Sequence, residues 1–403
     1  LFICYTLISF FYSFSMYSMS SVSTKNIENQ IKLKLNLHFK KLGFQKSQNG
    51  LLKPKDSGKN TYRKMHGEHR ADKIITSKIF LQRNFENLLP YFASGRDINP
   101  SKISPKLELV GKTGSHSASL FRLACLTWSI PVSEGYGRRI RVLVWDQHNN
   151  KLIGLIALGD PVFNLRVRDD LIGWSGEMRK DKLVNVMDAF VLGALPPYNG
   201  LLGGKLVACL VRSKEVRSLF SKKYRLSKGI ISKKEKNPKL TIVTTSSALG
   251  RSSVYNRLKL GDIKYFEPIG YTAGWGHFHV PDNLFDEMRT YLRMKKDTYV
   301  DKYDYGSGPN WKIRIVKRVL GMIGLKPDLM KHGLSREVFL CKLASNAEMF
   351  LKGESKRTKY ENLLSVSEIS ELAKERWIIP RSTRNRSYKL WGRRSLENLI
   401  FKV

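Results

Sequence analysis

Ala194-Leu195-Pro196-Pro197-Tyr198-Asn199-Gly200-Leu201-Leu202-Gly203-Gly204-Lys205-Leu206-Val207-Ala208-Cys209-Leu210-Val211 joins an apolar strand, Val186 to Leu195, to an amphipathic helix. The turn between them holds two prolines and three glycines. A turn of that composition aims free backbone N–H groups and a helix N-terminus at one point, where a phosphate or pyrophosphate is stabilised. The same glycines equally suit a tight strand-to-helix crossover that needs close packing. Asn199, Gly200, Gly203, Gly204 and Lys205 are the candidate cofactor-binding residues on the first reading.

Working outward, Leu240 to Ser246 reads as a β-branched strand, Ser252 to Leu260 as a short helix and Ile263 to Tyr271 as another strand. Upstream, Arg139 to Asp146 and Lys151 to Val162 form two strands joined by the turn Gln147 to Asn150. The order is hairpin, strand, glycine turn, helix, strand, helix, strand. It resembles the Gcn5-related N-acetyltransferase fold, in which the turn after the fourth strand holds the pyrophosphate of acetyl-CoA. The resemblance implies an α/β (α+β) class with a mixed central sheet of acetyltransferase-like type, flanked by helices. It also places Tyr255 in the helix where that superfamily often carries a tyrosine general acid. The acyl-CoA loop of that superfamily usually opens on Arg or Gln and spaces its glycines differently from Gly200, Gly203 and Gly204. No cofactor is assigned; acyl-CoA stays open on an incomplete loop signature.

A second resemblance runs from about Phe44 to about Arg381. Phe121-Arg122, Leu126 to Arg139 (LTWSIPVSEGYGRR), Arg168 to Trp174 (RDDLIGW), Met187 to Ala194 (MDAFVLGA) and Thr245 to Leu258 (TSSALGRSSVYNRL) are similar to the Druantia anti-phage system protein A family. That resemblance implies a bacterial defence role beside a large helicase-like partner. It supplies no established catalytic residue.

Composition sets independent bounds. Lys and Arg number 71 against 34 Asp and Glu, a net charge of +37, while 42% hydrophobic residues suffice for a folded core. Such a charge favours a phosphate backbone as partner, because each neutralised phosphate releases a counterion. An anionic membrane fits less well, since no long basic amphipathic helix with a wide apolar face is evident. Cys4, Cys125, Cys209 and Cys341 have no paired spacing, which disfavours zinc ribbons and disulfide frameworks and agrees with a cytoplasmic setting.

Four regions are expected. Residues 1–23 are apolar at first, short for a bilayer span and without a basic leader, and read as a disordered or mis-assigned start with Met16 or Met19 as the beginning. Residues 24–106 form a basic, mainly helical region in which Ile27, Ile31, Leu35 and Phe39 make one apolar stripe. Residues 107–280 hold the acetyltransferase-like core. Residues 281–403 form a basic C-terminal region, with helices over Asp282 to Lys295, Asn310 to Gly321 and Ser367 to Arg376 and a strand-like run from Arg336 to Leu343.

The densest positive stretch is Arg212 to Lys239, with Phe220 and Tyr224 interleaved as rings that suit stacking on bases. The tail adds a second cluster. Arg166, Arg168, Lys222, Lys223, Arg225, Lys233, Lys234, Arg251, Arg384, Arg386 and Arg393 are the candidate nucleic-acid contacts. HExxH, Walker A, GxGxxG and CxxC patterns are absent, which removes the main support for metalloprotease, P-loop ATPase and NAD-enzyme readings. His277 and His279 alternate as on a strand but lack a third ligand nearby, so no metal is assigned.

Asp188 lies inside an apolar strand, where a carboxylate is costly unless hydrogen-bonded or poised for chemistry. Asp188 as base or orienting group and Tyr255 as acid are the candidate catalytic pair. Arg166, Arg168, Asp169 and Asp170 near Trp174 suit either an acceptor cleft or a salt-bridged loop around a buried tryptophan. Two functions follow: a nucleic-acid-binding defence component working with a helicase-like partner, or an active group-transfer enzyme acting on a nucleobase or protein.

Overall fold

The computed structural model describes residues 24–46, 52–56, 58–132, 137–228, 235–274, 276–300 and 311–402. Its strands in chain order are β1 (Phe44–Lys46), β2 (Leu52–Pro54), β3 (Pro105–Leu109), β4 (Arg139–Asp146), β5 (Lys151–Gly159), β6 (Val186–Ala194), β7 (Ser227–Lys228), β8 (Glu235–Lys236), β9 (Ile242–Ser246), β10 (Leu258–Leu260), β11 (Ile263–Tyr271) and β12 (Glu337–Lys342). The chain divides into two compact units. One comprises residues 1–72 and 274–334, the other residues 73–273 and 335–403.

The larger unit is built on one eight-stranded sheet of order β10-β11-β12-β9-β6-β5-β4-β3. Every neighbouring pair is antiparallel except β6 with β9, which run parallel in the register Val186↔Ile242 to Asp188↔Thr244. A parallel pair requires a crossover. The helices Gly203–Leu210 and Lys214–Tyr224 supply it. The strands expected at Arg139 to Asp146 and Ile263 to Tyr271 are present with those bounds, and the one read to Val162 stops at Gly159. β12, from beyond residue 280, is an inner strand between β11 and β9.

β5 is apolar along nearly its whole length, and such a strand must be covered on both faces. Leu155, Ile156, Ala157 and Leu158 are all fully buried. Each buried Leu or Ile contributes about 1.5–3 kcal/mol. Ile156 and Leu158 join Leu206, Leu210, Phe220, Ile369 and Trp377 in the core on one face. Leu155 and Ala157 join Leu81, Phe85, Leu120, Phe121 and Leu396 on the other. A separate cluster on that second face, Ile172, Trp174, Ile242, Leu340 and Leu351, covers the sheet around β9 and β12.

Ser252 to Leu260 is not a helix. Ser252 Oγ accepts the amides of Val254 (3.1 Å) and Tyr255 (3.2 Å), Arg257 turns to φ +58°, and Leu258–Leu260 then pairs back on β11. A left-handed residue ends the turn where helix propagation would need φ near −60°.

In the smaller unit, the stripe of the first helix, residues 24–41, behaves as its spacing requires: Ile31, Leu35 and Phe39 are buried. Phe278 packs edge-on to Phe44 at 4.7 Å and against Phe39 at 5.0 Å. Lys34 pairs with Glu287, and Tyr291 donates to Glu28 at 2.7 Å, tying that helix to Asp282–Met294. His277 and His279 do not lie on a strand; only a single bridge, His277 to Lys331, forms there. His279 instead stacks on His69 at 4.2 Å and bonds Asp72 at 3.0 Å. Among the described residues no group of three or more potential ligands could hold a metal, and no helix is long and apolar enough to cross a membrane.

Candidate functional site

The glycine turn is built from two short elements. Tyr198–Leu201 forms a short 3-10 turn, and the helix Gly203–Leu210 follows directly. The left-handed residue is Leu202, at φ +62°, not a glycine. A Cβ on Gly203 would lie 2.6 Å from the carbonyl oxygen of Tyr198, so this glycine is required by close approach. Tyr198 cannot yield: it is buried, and its hydroxyl donates to Asp146 Oδ2 at 2.9 Å. Gly200 faces the Cβ of Tyr388 at 3.3 Å, and Arg381 Nε donates to its carbonyl at 3.3 Å. Lys205 lies over the Trp377 ring at 5.3 Å, while Asn199 is exposed. Gly204 alone has room, with nothing nearer than 3.9 Å. The five residues stand together, and Pro197, Asn199 and Gly200 line a hollow with Tyr388 and Trp391 of the C-terminal segment.

Polar side chains also line up across the sheet. Four register partners form one row across four strands: Arg139 on β4, Gly159 on β5, Asp188 on β6 and Thr244 on β9. Cross-strand partners share a face, so these side chains point to one side. Gly159 has no side chain, and a Cβ there would meet Arg139 Nη1 at 2.9 Å; the gap is filled by the guanidinium. That guanidinium lies 4.1 Å over the Phe190 ring, and its Nε is buried without an acceptor. Thr244 Oγ1 donates to Asp188 Oδ1 at 2.8 Å. Burial raises the Asp188 pKa to about 6, although Thr244, Arg168 and Arg139 all act to lower it. Asp188 was legible from sequence; Arg139 and Gly159 were not, because only the register aligns them.

Tyr255 is not its partner. The strand alternation puts Asp188 with Thr244 on one face, and Tyr255 on the other with Phe266 (5.3 Å) and Phe339 (5.4 Å). Its hydroxyl donates to the Leu192 carbonyl at 3.1 Å, and burial holds its pKa far above the usual tyrosine range. The expected acid and base are divided by the sheet.

Asp188 gives a pH prediction. Its folded pKa, near 6, exceeds the ordinary carboxylate value of about 4, so between those values the folded state holds more protons than the unfolded chain. Stability from this group is present below pH 4 and is lost as pH rises through 6. Asp188→Asn should therefore flatten the decline in urea midpoint between pH 4.5 and 7; an unchanged pH profile would contradict the assigned environment.

Arg168, a candidate nucleic-acid contact, is completely buried. Its guanidinium bonds Asp169 Oδ1 at 2.6 and 2.8 Å and the carbonyls of Val162 and Phe163 at 3.0 Å. Asp169 also pairs with Arg179 at 2.8 Å, and Trp174 Nε1 donates to the Leu351 carbonyl at 2.9 Å. This is a salt-bridged loop around a buried tryptophan. Arg166 is exposed and pairs with Asp170 at 3.3 Å.

The remaining cations divide by their partners. Arg393 is held by Glu86 (2.7 Å) and Glu397 (2.6 Å). Arg384 donates to the Pro380 carbonyl at 3.0 Å. Lys222, Arg225, Arg251 and Arg386 are exposed and have no ion-pair partner among the described residues. Lys223 Nζ donates to the Arg139 carbonyl at 2.8 Å. Lys233 and Lys234 lie outside the described residues. Phe220 and Tyr224 are not stacking platforms: spaced four apart, they share the helix face turned to the core and are buried.

Residues 56–353 match the family described as Druantia protein DruA. The chain belongs to this family. It is 52% identical over 373 residues to a Druantia protein DruA of Escherichia coli (strain UMEA 4076-1), covering 93% of this chain and 92% of that relative. No solved structure matches it.

Proposed function

We propose that this family member is a nucleic-acid-binding component of a bacterial anti-phage defence system, acting in the cytoplasm beside a helicase-like partner. The observation that carries the reading is the end of the helix Lys214–Tyr224, where Lys222 and Arg225 are exposed, Lys223 reaches the Arg139 carbonyl, and none of the three has a carboxylate partner among the described residues. A protein of net charge +37 that leaves cations unpaired is suited to a phosphate backbone. Family membership supports the defence role. In this reading the eight-stranded mixed sheet and its flanking helices serve as a recognition scaffold. The test is anti-phage protection by cells carrying the whole system: Lys222→Glu/Lys223→Glu/Arg225→Glu should abolish protection at unchanged protein level, and full protection would refute the reading.

A second reading has its own observation. Asp188, protonatable near neutral pH, shares one row with the unpaired Nε of Arg139. Such a pair suits group transfer to a nucleobase or protein, with Asp188 taking the acceptor's proton and Arg139 stabilising developing negative charge. Asp188→Asn that loses protection while still binding nucleic acid would favour it.

A further inference from the structure

We infer that the hollow bounded by Val110, Gly111, Lys112, Thr113, Arg141 and Lys223 seats a phosphate group. That this phosphate belongs to nucleic acid rests on the reading above; the seat itself rests on its lining. β3 stops at Leu109, so the Arg139–Arg141 half of β4 lacks a strand neighbour on that side except for the Val110 N–H bonded to the Arg141 carbonyl at 2.8 Å. Side chains replace the missing strand. The Tyr224 hydroxyl accepts the Arg139 N–H (2.8 Å) and donates to its carbonyl (2.9 Å), and Lys223 Nζ donates to that carbonyl at 2.8 Å. This arrangement brings Lys223 beside Arg141, with Lys112 on the adjoining loop.

Among the described residues, three cations and no carboxylate therefore line this concavity. Two described acids, one on β3 and one just past the end of β5, are engaged elsewhere: Glu108 accepts Trp145 Nε1 at 2.7 Å, and Asp160 is held by Arg138 at 2.7 Å. Burial, and then the charge of Arg141, pull the Lys223 pKa down. The amides of Lys112, Thr113 and Gly114 find no protein acceptor among the described residues, while Gly111 N–H is bound by Ser117 Oγ at 3.0 Å. Three cations and the unbonded amides of Lys112 and Thr113 around one open hollow suit a small, multiply charged oxyanion, and phosphate meets both the charge and the acceptor requirement.

The test uses the full chain. Inorganic phosphate, compared with chloride at equal ionic strength, should raise the wild-type melting temperature saturably, because a ligand that binds only the folded state stabilises it. Lys112→Ala/Lys223→Ala should remove the rise. No saturable rise in wild type, or the same rise in the variant, overturns the seat. If the double variant melts early in chloride, Lys112→Ala alone, at an exposed loop position, should weaken the phosphate midpoint several-fold; an unchanged midpoint also overturns it. Single-stranded DNA with and without a 5′-phosphate then identifies the source. A preference of about tenfold for the phosphorylated strand, lost in the variant, assigns a strand end. Equal binding of both, with the log–log salt slope reduced by roughly 0.7 per lost contact, assigns a backbone diester. A phosphate effect without any DNA binding would keep the seat and remove the nucleic-acid reading.

Discussion

Gly203→Val is expected to lower the melting temperature by roughly 6–12 °C, from about 3 kcal/mol of overpacking at 2–4 °C per kcal/mol. The new Cβ would meet the Tyr198 carbonyl at 2.6 Å, and Tyr198 is fixed by burial and by its bond to Asp146. Relief would have to come from the backbone of the turn. Gly204→Ala is the matched control: its nearest contacts are at 3.9 Å, and a helical alanine in place of glycine should be neutral or slightly stabilising. A Gly203→Val protein that melts like wild type yet gives no protection would instead restore the turn as a ligand site.

The second large effect is expected at Arg168. Removing one partner of a buried ion pair leaves the other desolvated and costs about 3–5 kcal/mol. In Arg168→Ala, Asp169 would keep Arg179 and the Leu165 N–H, but the carbonyls of Val162 and Phe163 would lose their donor. Arg168→Lys keeps the charge without the planar fork and should fall between alanine and wild type. Urea midpoints for the three proteins check the order. Stability of Arg168→Ala within 1 kcal/mol of wild type would contradict the buried geometry.

These two residues also show where sequence reasoning succeeded and where it stopped. Apolar runs such as Leu152 to Leu158 and Val186 to Leu192 declare strands, because burial on both faces demands them. The stripe Ile31, Leu35, Phe39 declares a helix for the same reason at a different period. Neither kind of signal says which strands meet. β12 enters between β11 and β9 from almost a hundred residues downstream of β9, and no local feature of Glu337–Lys342 marks that place. The row Arg139, Gly159, Asp188 and Thr244 is a product of register, so only Asp188, odd in its apolar strand, stood out beforehand. The salt-bridged loop is one of the two sequence readings of Arg168; its other reading as a nucleic-acid contact, and that of Phe220 as a stacking ring, fail for a different reason. A charge count treats every arginine as surface and an interleaved aromatic as a stacking ring, whereas the four-residue spacing of Phe220 and Tyr224 already fitted a core-facing stripe.

The most direct measurement is the affinity of the full chain for single- and double-stranded oligonucleotides across a salt series, by fluorescence anisotropy. Wild type should bind with log affinity falling linearly in log salt, and Lys222→Glu/Lys223→Glu/Arg225→Glu should bind at least tenfold more weakly, with a shallower slope, for every sequence tried. Absence of wild-type binding at about 50 mM salt, or the same affinity and slope in the variant, would contradict the account.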